Sequence, residues 1–348
     1  MVGNYLDMEQ RGKIALLSCD SGKQLGSRIY DNLINIFEKE KNQINFKPKP
    51  VQSQEIYFAN GEVKTVINEN IRGDDIYILQ CMDDPLSKRS VNDNLMALLT
   101  AIDAAYQSDV DQITVVIPQF PYSRQERKKA RECISAKLIA SFLETSQAMR
   151  VLTVDVHAEA IVGFFRRIKF ENLHASRIII EHIIKCYPNT SFAVVAPDVG
   201  SAPRARFFSK EFKCDLAIID KERNYAVPGT IESMRLVGNV KDQNVFMGDD
   251  MIATGSTLIS ACNLLKDQGA KDIYISSTFP FFNGNAVEKF DDAYQKKLIK
   301  KVIGTDCVFR GEQFIKDHPW YEEVSVAPLI AKVIHNINRK LSVSELLS

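Results

Sequence analysis

The sequence predicts an α/β protein built from two doubly wound parallel-sheet domains. At 348 residues the chain is long enough for about two domains. Short apolar runs alternate with amphipathic helical patterns in both halves, as they do in parallel sheets covered by helices. Polar segments follow several of these runs, at the strand ends where open α/β sheets bind ligands. We expect one domain at 1–175 plus 326–348 and the other at 176–325.

The first half of the chain is predicted to open with a strand, because Ile14–Leu17 is an uninterrupted apolar run. Asn60 and Gly61 predict the turn of a hairpin between Ile56 and Val63. Ser90 stands directly before a helical pattern and is a favoured N-cap. The same reasoning predicts strands at 76–79, 113–117 and 151–154, and helices at about 25–37 and from 135.

The second half repeats the pattern, with a helix near 175–184 followed by a buried strand at Phe192–Ala196. Between Leu258 and Leu265 the apolar residues fall on one helical face, and Gly269 is placed to cap the end of that helix. Further strands are predicted at 216–219, from 245, at 273–276 and at 298–303, with a final helix starting near 325.

Composition excludes several classes of protein. Lys+Arg and Asp+Glu both number 44, and a general nucleic-acid binder would show a basic excess. No apolar run is long enough to span a bilayer, and the N-terminus lacks the pattern of a signal peptide. The seven cysteines contain no Cys-x-x-Cys pair, which indicates reduced thiols rather than a zinc site or disulfide framework. We therefore expect a cytoplasmic protein without nucleic-acid or membrane partners.

The stretch from Val245 to Thr257 carries the clearest functional pattern. Asp249 and Asp250 stand where the predicted strand ends, and a turn of small residues leads from there into a helix. Free backbone N–H groups and the helix dipole make such a turn an anion site, and hydroxyl groups add donors. Two carboxylates beside it suit sugar hydroxyls or Mg²⁺. The alternative is an ordinary strand–turn–helix with a solvated acidic pair.

Three further features indicate phosphate chemistry. Five basic residues between Arg124 and Arg131 suit a triphosphate clamp, although a solvated basic loop fits them too. His157 follows a strand at the ligand-binding edge of the sheet, although a lone histidine is more often structural. Lys221 and Arg223 alternate in an extended segment, so both can reach one phosphate group; two ordinary surface charges are the alternative.

The motif at 249–257 resembles the Asp-Asp-x-x-Asp-Thr-Gly-Gly-Thr motif of the phosphoribosyltransferase fold. From about Ile14 to Ile337 the chain resembles the ribose-phosphate pyrophosphokinases. Ala253 departs from the motif, where most members have Asp, and Ser256 stands where they have Gly or Ala. Ser201 likewise replaces a Gly in the segment that resembles the pyrophosphate loop of this family.

The resemblance implies a role for each matching residue. It implies that the hairpin contacts the adenine of ATP bound to a neighbouring subunit, and that the basic loop also holds ATP. It places His157, a catalytic residue, near Mg²⁺ together with Asp198. The implied roles of the others are ATP binding for Phe58, Asn60, Glu62, Arg124 and Gln125; catalysis for Lys221 and Arg223; ribose binding for Asp249 and Asp250; and 5-phosphate binding for Thr254, Gly255, Ser256 and Thr257.

The activity that the resemblance implies is Mg²⁺-dependent transfer of diphosphate from ATP to O1 of ribose 5-phosphate, giving phosphoribosyl pyrophosphate and AMP. The chain has no Gly-x-x-x-x-Gly-Lys-Ser/Thr segment, which excludes a P-loop kinase. Two alternatives remain open: a non-catalytic regulatory homologue that binds a synthetase partner, and a phosphoribosyltransferase that consumes the product. Because the sites of this family lie between subunits, the resemblance also implies a homo-oligomer.

Overall fold

The computed structural model describes residues 11–40, 47–223 and 231–346. The described residues form two compact units, each with its own sheet. The first unit falls within Met1–His174, Cys307–Phe309 and Ser325–Ser348, and the second comprises Ala175–Asp306 and Arg310–Val324.

The first unit is built on a six-stranded sheet in which every pairing is parallel. The strand order is β2-β1-β5-β6-β7-β8. A separate antiparallel hairpin is formed by β3 and β4. The strands are β1 (Ile14–Ser18), β2 (Lys49–Val51), β3 (Ser53–Tyr57), β4 (Val63–Ile67), β5 (Asp75–Leu79), β6 (Gln112–Val116), β7 (Arg150–Val154) and β8 (Lys169–Leu173).

Helices cover this sheet because one side of each is apolar. They are α1 (Lys23–Lys39), α2 (Val91–Gln107), α3 (Ser135–Thr145) and the terminal helix Ala327–Asn338. At the start of α2, Ser90 accepts a hydrogen bond from the Asp93 N–H, and the Asp93 side chain accepts one from the Ser90 N–H. This capping box satisfies backbone donors that the first turn of a helix leaves unpaired. The predicted cap at Ser90 is therefore confirmed.

The second unit contains a seven-stranded sheet in the order β11-β10-β9-β12-β13-β14-β15. Among the described pairings of this sheet, only that of β10 with β11 is antiparallel. The strands are β9 (Phe192–Ala196), β10 (Leu216–Arg223), β11 (Ile231–Val237), β12 (Asn244–Ile252), β13 (Ile273–Pro280), β14 (Lys301–Thr305) and β15 (Tyr321–Val324).

Five helices accompany this sheet: α4 (Ser176–Cys186), α5 (Ala202–Phe212), α6 (Ser256–Asp267), α7 (Ala286–Gln295) and α8 (Glu312–Asp317). The predicted buried face of α6 is confirmed, since Leu258, Ala261, Cys262 and Leu265 are at most 3% exposed. Its predicted end is confirmed as well. Gly269 has φ +85°, and its N–H donates to Lys266 O, which is the left-handed geometry that glycine adopts without strain.

Several predicted strand ends were wrong. Strand β13 runs to Pro280 and not to residue 276, and β14 lies at Lys301–Thr305 and not at 298–303. Two further ends bear on the candidate site. Strand β12 does not end at Asp249 and Asp250 but continues to Ile252, because its parallel pairing with β13 extends that far. Strand β10 continues past residue 219 to Arg223, because β11 pairs with it there. In both places a neighbouring strand hydrogen-bonds a polar segment that local sequence marked as a loop.

Candidate functional site

The carboxyl ends of adjacent parallel strands in the second unit meet at one edge of its sheet. From β9 the chain goes to β10 on one side and later to β12 on the other, so the strand order reverses between β9 and β12. In open α/β sheets such a reversal point is where ligands bind. Asp198 follows β9, Lys221 lies in β10, and the 249–250 carboxylates lie near the end of β12. These predicted site residues are therefore all carried by the strands at this edge.

The two carboxylates of the motif occupy a partly buried position. Asp250 N–H donates to Asp249 Oδ1 at 2.9 Å, and Arg204 Nη1 donates to the Asp249 carbonyl at 3.4 Å. Burial, followed by the charge of Asp250 and a hydrogen bond with its side chain, raises the pKa of Asp249 to about 7. A solvated acidic pair would not be desolvated in this way.

The turn after β12 is shaped by Gly255, which has φ +70°. A Cβ atom at this position would lie 2.5 Å from Cε2 of Phe290, so α7 packs directly under the turn. The hydroxyl-bearing residues on either side, Thr254, Ser256 and Thr257, are exposed. The first N–H groups of α6, which has 12 residues, follow at once. Exposed hydroxyls and unpaired N–H donors together form a site suited to an anion.

Asp198, which follows β9, and Lys221, in β10, lie close together. The Lys221 Nζ is 3.8 Å from Asp198 Oδ2, and the lysine side chain is only 6% exposed. The other oxygen, Asp198 Oδ1, accepts a hydrogen bond from Ser201 N–H at 2.9 Å. That bond caps the 3₁₀ turn Val199–Ser201 and fixes the carboxylate orientation. The side chain of Arg223 lies outside the described residues, although its backbone continues β10.

In the first unit, the hairpin turn presents three predicted residues at its tip. Phe58 N–H donates to the Glu62 carbonyl at 2.8 Å, and Glu62 N–H donates to Asn60 Oδ1 at 3.2 Å. Phe58 is 46% exposed, and the Lys64 ammonium lies 5.7 Å from the centre of its ring. An exposed aromatic face beside an amide and a carboxylate suits stacking and hydrogen bonding with a nucleobase.

The basic loop follows β6 in the same unit. Gln125 Oε1 accepts a hydrogen bond from the Ser135 hydroxyl at 2.6 Å, and Gln125 N–H donates to the Tyr122 carbonyl at 2.8 Å. These bonds tie the loop to the start of α3. Arg124 is exposed, and the structure shows it in no ion pair with another described residue. An exposed guanidinium of this kind is suited to bind phosphate oxygens.

His157 is exposed just beyond β7. Two residues earlier, Asp155 is buried with φ +42°, and its carboxylate oxygen Oδ1 lies 3.0 Å from His174 Nδ1. Asn172 accepts a hydrogen bond from the Val156 N–H at 2.9 Å. The segment before His157 is thus held by side chains of β8 and the residue that follows it, and His157 itself is exposed.

One basic residue at the turn was missed by the sequence reasoning. Lys289 Nζ donates to Ser256 Oγ at 2.7 Å and to the Thr254 carbonyl at 3.3 Å. It lies 33 residues from Ser256 along the chain. The sequence around Lys289 has the pattern of an ordinary amphipathic helix, so no local pattern links this lysine to the turn.

Comparison with known proteins agrees with this arrangement. Residues 14–146 match the N-terminal domain of ribose phosphate pyrophosphokinase, and residues 167–313 match the phosphoribosyl transferase domain. A ribose-phosphate pyrophosphokinase of Clostridium tetani is 38% identical over 85% of this chain and 90% of its own length. Ribose-phosphate pyrophosphokinase A of Dictyostelium discoideum is also 38% identical, over 84% of this chain and 88% of its own.

Among solved structures, the phosphoribosylpyrophosphate synthetase of Mycobacterium smegmatis superposes with a TM-score of 0.81. That alignment has 29% identity and covers 94% of this chain and 99% of the other. The structure thus defines a protein with the phosphoribosyltransferase fold. The chain belongs to the ribose-phosphate pyrophosphokinase family, and the resemblance seen in its motifs is confirmed. Within the described residues, no helix is both long and apolar enough to cross a membrane.

Proposed function

We propose that this protein transfers the diphosphate of ATP to O1 of ribose 5-phosphate, giving phosphoribosyl pyrophosphate and AMP. The main observation behind the proposal concerns the edge of the second sheet at which the strand order reverses between β9 and β12. A carboxylate pair, a turn suited to an anion and a Lys221–Asp198 pair are all placed on that edge. Sugar hydroxyls, a 5-phosphate and a transferring diphosphate require these three kinds of group.

In this proposal the second unit binds the sugar and carries the reactive groups. Asp249 and Asp250 accept hydrogen bonds from the ribose hydroxyls, and the turn at 254–257 holds the 5-phosphate with N–H groups and hydroxyls. Lys221 and Arg223 neutralise charge on the diphosphate oxygens as O1 attacks the β-phosphorus. Phosphoryl-type transfer depends mainly on such positioning and charge stabilisation.

The first unit supplies the ATP side in the same proposal. Phe58, Asn60 and Glu62 contact the adenine, and Arg124 and Gln125 bind the phosphate chain. The exposure of the Phe58 ring and of the Arg124 guanidinium supports these roles. Because the hairpin serves a neighbouring subunit in the family that the chain resembles, the proposal includes a homo-oligomer. It also includes a cytoplasmic protein, as expected from the scattered cysteines.

The Asp198 carboxylate fits Mg²⁺, because it offers an anionic oxygen on a side chain that is 44% exposed. His157, which the resemblance implies as a second ligand, is exposed in the first unit. The described residues contain no group of three or more His, Cys, Asp or Glu that would form a complete protein cage for a metal. Mg²⁺ sites commonly use one or two carboxylates, with substrate phosphates and waters completing the octahedron. Bound there, Mg²⁺ would neutralise phosphate charge, while Lys221 and Ser201 keep the Asp198 carboxylate oriented.

The test is release of AMP from ATP in the presence of Mg²⁺, with and without ribose 5-phosphate. We expect AMP only when the sugar phosphate is present, together with an equal amount of phosphoribosyl pyrophosphate. Protein that binds both substrates but releases no AMP would overturn the proposal in favour of a non-catalytic homologue.

A further inference from the structure

Lys289 is placed against the turn that the proposed function assigns to the 5-phosphate. It lies in the first half of α7, one residue before Phe290, whose ring fills the space beneath Gly255. Its ammonium donates to Ser256 Oγ at 2.7 Å and to the Thr254 carbonyl at 3.3 Å. Two residues that flank the glycine of the turn therefore hold this one cation.

Lys289 is held by two hydrogen bonds, but neither of them pairs its positive charge with a negative one. Both acceptors are neutral oxygens, and no carboxylate of the described residues lies within ion-pair distance of its Nζ. The segment from Asp249 to Leu258 contains two carboxylates and no basic residue. An ammonium group has three N–H donors, so one remains after the two bonds to the turn. The cation is thus fixed in place while its charge stays without an anion.

The hydroxyl of Ser256 is a further hydrogen-bond donor at this turn. Because Ser256 Oγ accepts a hydrogen bond from Lys289, its own proton is available for donation to another acceptor. Ser256 is also the first residue of α6, where backbone N–H groups are unpaired and the helix dipole favours an anion. The ammonium, the hydroxyl and the helix start therefore all offer positive charge or donors at one turn.

We infer that Lys289 binds the 5-phosphate of ribose 5-phosphate, with its ammonium and the Ser256 hydroxyl each contacting a phosphate oxygen. The inference rests on the proposed function, because that function places the phosphate at this turn. A phosphate dianion supplies an anionic partner for the Lys289 ammonium, whose two acceptors at the turn are neutral oxygens. Lysine acts on phosphate as a point charge, so its contribution depends on charge more than on side-chain shape.

The inference is tested with Lys289→Met, Lys289→Arg and a control, Lys296→Met. Lys296 belongs to the same region but pairs with Asp292 Oδ2 at 2.8 Å and is 70% exposed. Binding of ribose 5-phosphate to each protein is measured by titration calorimetry, and the Michaelis constants for both substrates are measured in the AMP assay. The thermal unfolding midpoint of each variant is recorded alongside.

We expect Lys289→Met to weaken ribose 5-phosphate binding on the order of tenfold to a hundredfold, as loss of a charged hydrogen bond does. The Michaelis constant for ATP should change little, Lys289→Arg should recover part of the affinity, and Lys296→Met should behave as the wild type. Unchanged ribose 5-phosphate affinity in Lys289→Met would overturn the inference. So would an equal loss for both substrates with a lower unfolding midpoint, because Lys289 would then only hold the turn. Wild-type protein that binds ribose 5-phosphate without releasing AMP would instead overturn the proposed function alone.

Discussion

Asp249 should make the folded protein less stable as the pH rises, and Asp249→Asn should remove that effect. Burial and the adjacent Asp250 charge raise the pKa of Asp249 to about 7 in the folded state, from an ordinary value of 3.8. The amide of Asn has nearly the same shape, and its oxygen can still accept the hydrogen bond from Asp250 N–H. The substitution therefore removes the charge and keeps the local geometry.

The sign and the size of this change in the free energy of unfolding follow from proton linkage. Below about pH 4 the carboxyl group of Asp249 is protonated in both the folded and the unfolded state, so it does not lower the free energy of unfolding. Between about pH 4 and pH 7 the unfolded chain releases this proton while the folded chain keeps it, so stability falls as pH rises. Raising the pKa of Asp249 from 3.8 to about 7 lowers the free energy of unfolding at high pH by roughly 4 kcal/mol, at about 1.4 kcal/mol per pKa unit. The stability advantage of Asp249→Asn should therefore grow from about 2 kcal/mol at pH 5 to about 4 kcal/mol at pH 8.

The single tryptophan provides a local assay. Trp320 is the only tryptophan in the chain, is fully buried and belongs to the same unit as Asp249. Its fluorescence during urea unfolding, measured at several pH values, reports the free energy of unfolding of that unit. Asp272→Asn is the control, because Asp272 forms an exposed ion pair with Lys300 in the same unit. An Asp249→Asn advantage that stays constant between pH 5 and pH 8 would refute the reasoning.

Three further predictions concern the turn and Lys221, for which a catalytic role is proposed. Gly255→Ala should destabilise the protein by about 1–3 kcal/mol in urea unfolding, because it adds a clash to a positive φ. Gly284→Ala, with a positive φ but open space around it, should cost clearly less; equal costs would contradict the clash. Lys221→Ala should lower turnover on the order of a hundredfold with a smaller change in ATP binding, whereas the surface variant Lys300→Ala should keep wild-type kinetics. Ala253→Asp should change the affinity for ribose 5-phosphate by no more than about tenfold in a calorimetric titration, and binding seen only with Asp would contradict an active wild type.

The sequence by itself determined the fold class and most of the elements that build it. The apolar run Phe192–Ala196 predicted a strand with the same bounds that the structure shows. The Asn60-Gly61 pair predicted the hairpin turn, and the residues from Leu258 to Leu265 predicted the buried face of α6. These features depend on neighbours one to four residues away, so their periodicity and turn chemistry are visible in the sequence.

The resemblance of the motifs indicated the family of the chain and a candidate role for each site residue. Those roles remain predictions until binding and turnover of the substrates are tested. The position of a residue in a motif states which chemistry to expect from it. It does not state how the folded chain changes that chemistry. The pKa of Asp249 is an example, since it depends on burial that no spacing in the sequence reports.

Tertiary structure alone decided the features that depend on distant partners. Asp249 and Asp250 lie within β12 because β13 pairs with that strand as far as Ile252. Strand β10 reaches Arg223 because β11 pairs with it. Lys289 meets the turn at Ser256 because α7 packs beneath it, across 33 residues of chain. Strand pairing and helix packing bring together residues whose separation in sequence carries no local signal, which is why only the folded chain places a cation beside this turn.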